Sequence, residues 1–227
     1  MVRPNNSSIN HLVTMINAFS DPWGLKAPDS THIFMNKEAR RFTNTPLSFD
    51  VEGRRDGEFP ASWAELEGEL IEHDHQMLST GKSSAVIETH YWFGSKFLIP
   101  YISEKHPVYN DAGDCIAILW CAKPILAIDL VTIIESKSPG IITTTLNCDL
   151  FTEAENETIF YLMRGLSAKE IARVRTNTVK TINNRIQNIF QKADVHSLSQ
   201  LKAFCYEHGF ANYLPPKLLK KGITLIK

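Results

Sequence analysis

The side chains best suited to chemistry lie between Thr178 and Lys192, TVKTINNRIQNIFQK. Ile182, Ile186, Ile189 and Phe190 recur there at the spacing of one buried helical stripe. The remaining face is Lys180, Thr181, Asn183, Asn184, Arg185, Gln187, Asn188 and Lys192, all amides, hydroxyls and cations, with no carboxylate. An exposed helix normally mixes both signs of charge, so this face predicts a polyanion partner, double-stranded DNA above all.

A second candidate is Glu72-His73-Asp74-His75. On a helix, neighbours two residues apart point about 200° from each other, so His73 and His75 cannot clasp one metal together. Either one alone has the chemistry of an axial haem ligand, but the pair reads more simply as solvated or edge histidines. The four cysteines, Cys115, Cys121, Cys148 and Cys205, form no C-x-x-C pair and no zinc spacing, and are expected as buried free thiols. No G-x-S-x-G, phosphate-cradling glycine loop or H-E-x-x-H is present. Glu65, Glu67, Glu69 and Glu72 read as solvation of a helix, as do Arg40-Arg41 and Arg54-Arg55, balanced by Asp50, Glu52, Asp56 and Glu58. No catalytic residue, no metal ligand and no enzymatic role is expected.

The composition belongs to a folded globular chain: 43% hydrophobic and 22% charged over 227 residues. Its net charge of −1 hides an asymmetry, since residues 151–227 carry a net +6 and residues 1–150 a net −7. The basic end suits nucleic acid and the acidic front should stay off it. The N-terminus lacks the apolar core of a signal peptide, and the longest apolar run, Cys115–Ala122, is too short to cross a bilayer. A cytoplasmic protein with no membrane partner is expected.

The elements that position these groups follow in order. Ser7-Ser8 caps an amphipathic helix with Ile9, Leu12, Val13, Ile16 and Phe19 inward, stopped at Asp21-Pro22, which must pack on its own domain or on a partner subunit. Trp23–Ala27 and His32–Met35 form a hairpin, and Asn36 caps the short helix NKEARRF. After a loop over 46–60, Ser62 starts a longer helix that Gly81 closes. Ser84–Phe93, Lys96–Ser103 and Asp114–Ala122 are strands, giving β-β-α-α-β-β-β: an antiparallel sheet with helices on one face. The phrases HIFMNKEARRF, STGKSS and YNDAGDCIAILWCAKPI resemble a PAS sensor domain over about 100 residues. That resemblance implies a small cupped sheet, often dimeric, able to hold a small-molecule ligand; haem and flavin are disfavoured. Alternation on Ala85, Ile87, Thr89 and Tyr91, and on Phe97, Ile99 and Tyr101, gives each strand one apolar face. Ile87, Tyr91, Phe97, Ile99 and Tyr101 are therefore the candidate pocket residues, against the alternative of a filled core.

PILAIDLVTIIESKS, from Pro124 to Ser138, is expected as a helix leaving the sensor, with surplus apolar surface for dimer packing, broken by Pro139-Gly140. A Thr-rich connector follows. Thr152-x-x-Glu155 and Ser167-x-x-Glu170 are capping boxes, Gly165 ends the first helix, and Thr178 can cap the third. A fourth helix, Ser197 to His208, carries Leu198, Leu201, Phe204 and Cys205 on one face. Two short helices, a tight turn and a longer polar-faced helix make helix-turn-helix geometry.

The stretch FTEAENETIFYLMRGLSAKEIARVRTNTVKTINNRIQNIFQKADVHSLSQL resembles the LuxR-type helix-turn-helix domain, in register at Thr152, Glu155, Gly165-Leu166-Ser167, Lys169-Glu170-Ile171-Ala172, Thr181-Ile182, Asn188-Ile189-Phe190 and Val195. The resemblance places Asn183, Asn184 and Gln187 at base edges, where amides bond adenine, and Thr178, Lys180, Thr181 and Arg185 on phosphates, with Lys169 and Lys192 as secondary phosphate contacts. The pattern's two apolar turn residues fall on Arg175 and Asn177. Either Val174 re-registers the turn, or the polar groups reach solvent or phosphate.

The expected class is α+β: a PAS-like sensor and dimerisation domain (1–124), a linker helix and connector (125–150), an all-α four-helix LuxR-type domain (151–210) and a basic tail (211–227). The corresponding function is a bacterial transcriptional regulator, homodimeric on DNA, with RNA polymerase a further candidate partner. The rival readings are a haem or flavin redox sensor, and an interaction adaptor that has lost DNA binding.

Overall fold

The structure, a computed structural model, describes residues 7–127 and 140–226. The chain forms two compact units, residues 1–125 with 220–227, and residues 126–219.

In the first unit, α1 (Ser7–Asn17) precedes β1 (Trp23–Lys26) and β2 (His32–Met35). Then come α2 (Lys37–Phe42), a 3-10 turn at Ser62–Leu66 running into α3 (Glu67–Thr80), and β3 (Ser84–His90), β4 (Ile99–Tyr109) and β5 (Cys115–Pro124). Asn36 joins three of these elements. Its side-chain oxygen accepts from the backbone of Ala39, capping α2, and from Trp23. Its amide donates to the carbonyls of Ile16 and Asp21, which ends α1. Gly81 closes α3 in the left-handed conformation at φ +64°, where a side chain would be strained.

With a strand from the tail, β8 (Gly222–Leu225), the sheet order is β2-β1-β5-β4-β3-β8, every pair antiparallel. One face carries the aromatic core of Phe42, Phe59, Trp63, Trp92 and Trp120 with Leu70 of α3. Gly24 lies against Trp120, where a β-carbon would fall 2.4 Å from the indole. The other face is covered by α1, whose Ile9 and Ile16 pack with Leu25 and Ala117. Helices thus lie on both faces rather than one, because the apolar phase of β1 and β5 that α2 and α3 leave open needs its own cover.

The last strand, β8, pairs with β3 from Thr89↔Gly222 to Val86↔Leu225. Lys221 bridges to Glu65 at 2.7 Å, and the backbone N–H of Ile223 donates to Glu69 at 2.8 Å. The basic tail thus adds an edge strand to the sheet, for which alternating Ile223 and Leu225 are suited. A chain ending at Leu219 should lose about 1–2 kcal/mol of stability in this unit and, with the β3 edge bared, self-associate. Urea denaturation and sedimentation would show both; an unchanged midpoint and a monodisperse boundary would count against this account.

In the second unit, Leu126–Ala127 (β6) pairs with Gly140–Ile141 (β7), so the expected linker helix is not helical at its start. The rest of that segment, Ile128 to Pro139, lies outside the described residues. Four helices follow: α4 (Glu153–Met163), α5 (Ala168–Val174), α6 (Val179–Lys192) and α7 (Leu198–Glu207). Both capping boxes form, and Thr178 and Ser197 cap α6 and α7. Their core is Ile159, Leu162, Ile171, Ile182, Ile189, Leu201 and Phe210, with the free thiol of Cys205 buried among them. No helix among the described residues is long and apolar enough to cross a membrane.

Candidate nucleic-acid interface and buried polar cavity

In α6, Ile182 and Ile189 are fully buried and Ile186 and Phe190 pack against the same core. That stripe fixes the helix's rotation and turns Lys180, Thr181, Asn183, Asn184, Gln187 and Asn188 to solvent. The Thr178 side chain accepts from the Thr181 N–H, so its hydroxyl serves the helix start. Two of the cations are engaged at home. Lys192 pairs with Glu155 of α4 at 2.7 Å, and Arg185 donates to the Thr158 hydroxyl at 3.4 Å. Lys169, at the start of α5, and Lys180 are exposed and free of intramolecular ion pairs among the described residues.

The polar turn keeps its register. Val174 is exposed rather than filling the gap, and Thr176 turns the chain at φ +52°. Arg175 folds back to form an ion pair with Glu157, which is buried on α4. Asn177 stays exposed and donates to the Arg175 carbonyl at 2.8 Å. An Arg–Glu pair replaces an apolar contact, so the helix-turn-helix is retained with a compensated turn.

The first unit holds a cavity of about 40 Å³ between α3 and the sheet, lined by Lys26, His32, Asp56, Glu88, Lys105 and Trp120 with Phe42, Trp63 and Trp92. Asp74, buried on α3, ties two of the lining lysines together. Lys105 and Lys26 both bond the Asp74 carboxylate, Lys26 also bonds Asp56, and His32 Nε2 is 2.8 Å from Asp56. Lys105 donates to the Leu70 carbonyl as well. Burial alone would raise the Asp56 and Asp74 carboxyls, but the adjacent lysines hold both below their usual range. Glu88 is raised, chiefly by burial, and His32 is lowered for the same reason. The ring nitrogens His32 Nδ1 and Trp120 Nε1 are buried without a protein partner.

Sequence reasoning missed this network. Asp56, which the sequence presents as a balancing charge for the Arg54-Arg55 loop, is buried, and so is Asp74 beside His73. The available signal was strand phase: Lys105 sits opposite Trp120 and Ser84, on the buried side of a strand whose Glu104 and His106 face outward. The β3 phase also needs correcting, since Val86, Glu88 and His90 alternate on a buried side and Ile87, on the opposite side, is part-exposed. Of the expected pocket residues, Ile99 and Tyr101 pack against the aromatic core, Phe97 is exposed and Tyr91 is part-exposed. His73 is buried, with Nε2 2.7 Å from the Ser84 hydroxyl; burial lowers it to about 4. His75 is exposed, and neither histidine lines the cavity.

Residues 16–127 match the family model described as the PAS fold. No curated protein sequence matches the chain. Among solved structures, the chain is similar to VqmA from Vibrio cholera in a VqmA–ligand–DNA complex, at 23% identity over 99% of both chains with a TM-score of 0.74. It is also similar to a phage VqmA–DPO complex, at 22% identity over 98% of both chains with a TM-score of 0.71. A third likeness is to a Vibrio cholerae VqmA dimer without target DNA, described among LuxR-type receptors, at 21% identity over 96% of both chains and a TM-score of 0.50. These likenesses establish the fold: a PAS-type sheet followed by a helix-turn-helix unit.

Proposed function

We propose that this chain is a sequence-specific, DNA-binding transcription regulator whose PAS-fold unit takes a small molecule and contributes to a homodimer. The observation that carries the reading is the exposed face of α6. It offers Asn183, Asn184 and Gln187 with Lys180 and Thr181, and no acid, on a helix whose rotation the buried isoleucines set. The solved neighbours include VqmA with DNA and VqmA as a dimer, which supports the same assignment. In this reading the amides meet base edges, Lys169, Lys180 and Thr181 meet phosphates, and Lys192 and Arg185 steady the helix from behind. The protein acts in the cytoplasm and does no chemistry of its own.

The cavity supports the sensing half of the proposal. Its aromatic walls and unpaired His32 and Trp120 nitrogens suit a small, flat, polar molecule, and a solved neighbour is a VqmA–DPO complex. A space of about 40 Å³ admits little more than water, so the side chains must move apart as a ligand enters.

Selection of bound sequences from random DNA by the full-length protein tests the function. An enriched two-fold site containing A·T steps is expected. With about four phosphates neutralised per protomer, log K should fall against log salt with a slope near −7. No enriched sequence together with a flat salt dependence would leave the helix-turn-helix as an interaction module instead.

A further inference from the structure

Glu104, His106 and Cys121 converge on the side of β4 and β5 away from the cavity. Cys121 pairs directly with Glu104 in the ladder, and His106 follows two residues along the same side. The thiol sulfur, the His106 nitrogen and a Glu104 oxygen all lie within 4.8 Å of one another. Cys121 Sγ is 3.6 Å from Glu104 Oε2, and His106 Nε2 is 3.7 Å from the same oxygen. Around a tetrahedral zinc with ordinary bond lengths, sulfur and oxygen ligands stand about 3.6 Å apart, and nitrogen and oxygen ligands about 3.4 Å apart. The Glu104 oxygen already stands close to that spacing from both the sulfur and the imidazole nitrogen.

We infer that Glu104, His106 and Cys121 form a binding site for one Zn²⁺ ion, with His106 oriented by Ser83 and the fourth position left to water. His106 Nδ1 is 2.8 Å from the Ser83 hydroxyl, so donation there leaves Nε2 as a lone pair facing the cluster. This is the outer-shell arrangement that fixes the tautomer of metal-bound histidines. A thiolate, a carboxylate and a neutral imidazole carry two negative charges, which the ion neutralises. The donor set, soft sulfur with imidazole and carboxylate, selects zinc over magnesium or calcium. Cys121 is fully buried, while Glu104 and His106 are part-exposed, so an ion can reach them from solvent. Coordination releases the Cys121 thiol proton to water.

Lys123 is the competitor. Its ammonium lies 2.8 Å from Glu104 Oε2, where it neutralises the carboxylate as a cation would. Its side chain is 42% exposed, so it can swing to solvent and leave Glu104 to the metal. This gives the site a signature that a plain cross-strand ion pair lacks: removing Lys123 should tighten metal binding.

The test is titration of tag-free, chelator-treated full-length protein with Co²⁺, read by absorption, and then displacement by Zn²⁺. One ion per chain is expected, with a thiolate-to-cobalt charge-transfer band. Cys121→Ser should abolish that band, and His106→Ala should weaken binding at least tenfold. Lys123→Met should strengthen it several-fold. His106 and Lys123 are part-exposed, so circular dichroism should show both variants folded even if Cys121→Ser does not fold. Absence of a one-to-one cobalt spectrum would overturn the proposal, as would a spectrum indifferent to His106→Ala and Lys123→Met.

Discussion

Asp74→Ala should unfold the PAS-fold unit, or lower its stability by about 3–5 kcal/mol, the cost of breaking a buried ion pair from one side. The Asp74 side chain is fully buried and accepts from both Lys26 and Lys105, themselves nearly fully buried. Without it two buried, mutually repelling ammonium groups are left with Asp56 and the raised Glu88 to balance them. Chemical denaturation followed by tryptophan fluorescence is well placed to read this, because Trp63, Trp92 and Trp120 all line the cavity. A loss below about 1 kcal/mol, the range of exposed pairs, would mean that water screens the network. Acid should act in the same direction on the natural chain. His73 is lowered by burial to about 4, so the unfolded chain takes up its proton first. Stability then falls as pH drops from the ordinary histidine range towards 4, and falls further below that as the depressed Asp56 and Asp74 carboxylates are protonated.

Asn183→Ala and Gln187→Ala should each weaken binding to the selected DNA site by about 1–3 kcal/mol while leaving nonspecific binding nearly intact. Both side chains are exposed and one helical turn apart, so neither truncation disturbs the core. Lys180→Ala should behave differently, weakening all sequences alike and reducing the magnitude of the salt slope by about 1 for each protomer. Lys192→Ala is a useful contrast. Its ammonium pairs with Glu155, so it should cost stability in the second unit more than affinity for DNA. Competition binding against a scrambled site separates these outcomes. If Asn183→Ala and Gln187→Ala reduce specific and nonspecific binding equally, those amides do not read bases.

The helix-turn-helix unit was legible from local signals because its helices begin and end on local chemistry. Thr152 with Glu155, Ser167 with Glu170, and Thr178 each satisfy backbone groups three residues away. The isoleucine stripe at helical spacing then determines which face of α6 is left for solvent. The PAS-type layout was legible for a similar reason, since Asn36 and Gly81 mark helix ends and turn residues separate the strands.

Long-range pairing was not legible. The tail carries Lys217, Lys220 and Lys221 and reads locally as a basic extension, but Gly222–Leu225 complete a sheet whose partner strand lies more than 130 residues earlier. Arg175 looked costly in the turn until the structure put Glu157 beside it. The Glu104, His106 and Cys121 cluster joins two strands and fits no zinc spacing along the chain.

What the sequence by itself determined is the set of local elements, their order and the acid-free face of α6, because caps, turns and periodicity act over a few residues. What only the tertiary structure decided is which charges are buried. A lysine in a strand or an aspartate on a helix looks the same in the sequence whether it meets water or an opposite charge. Burying Lys26, Lys105, Asp56 and Asp74 is tolerable only because folding brings each lysine within bonding distance of a carboxylate, across as many as 48 positions of chain.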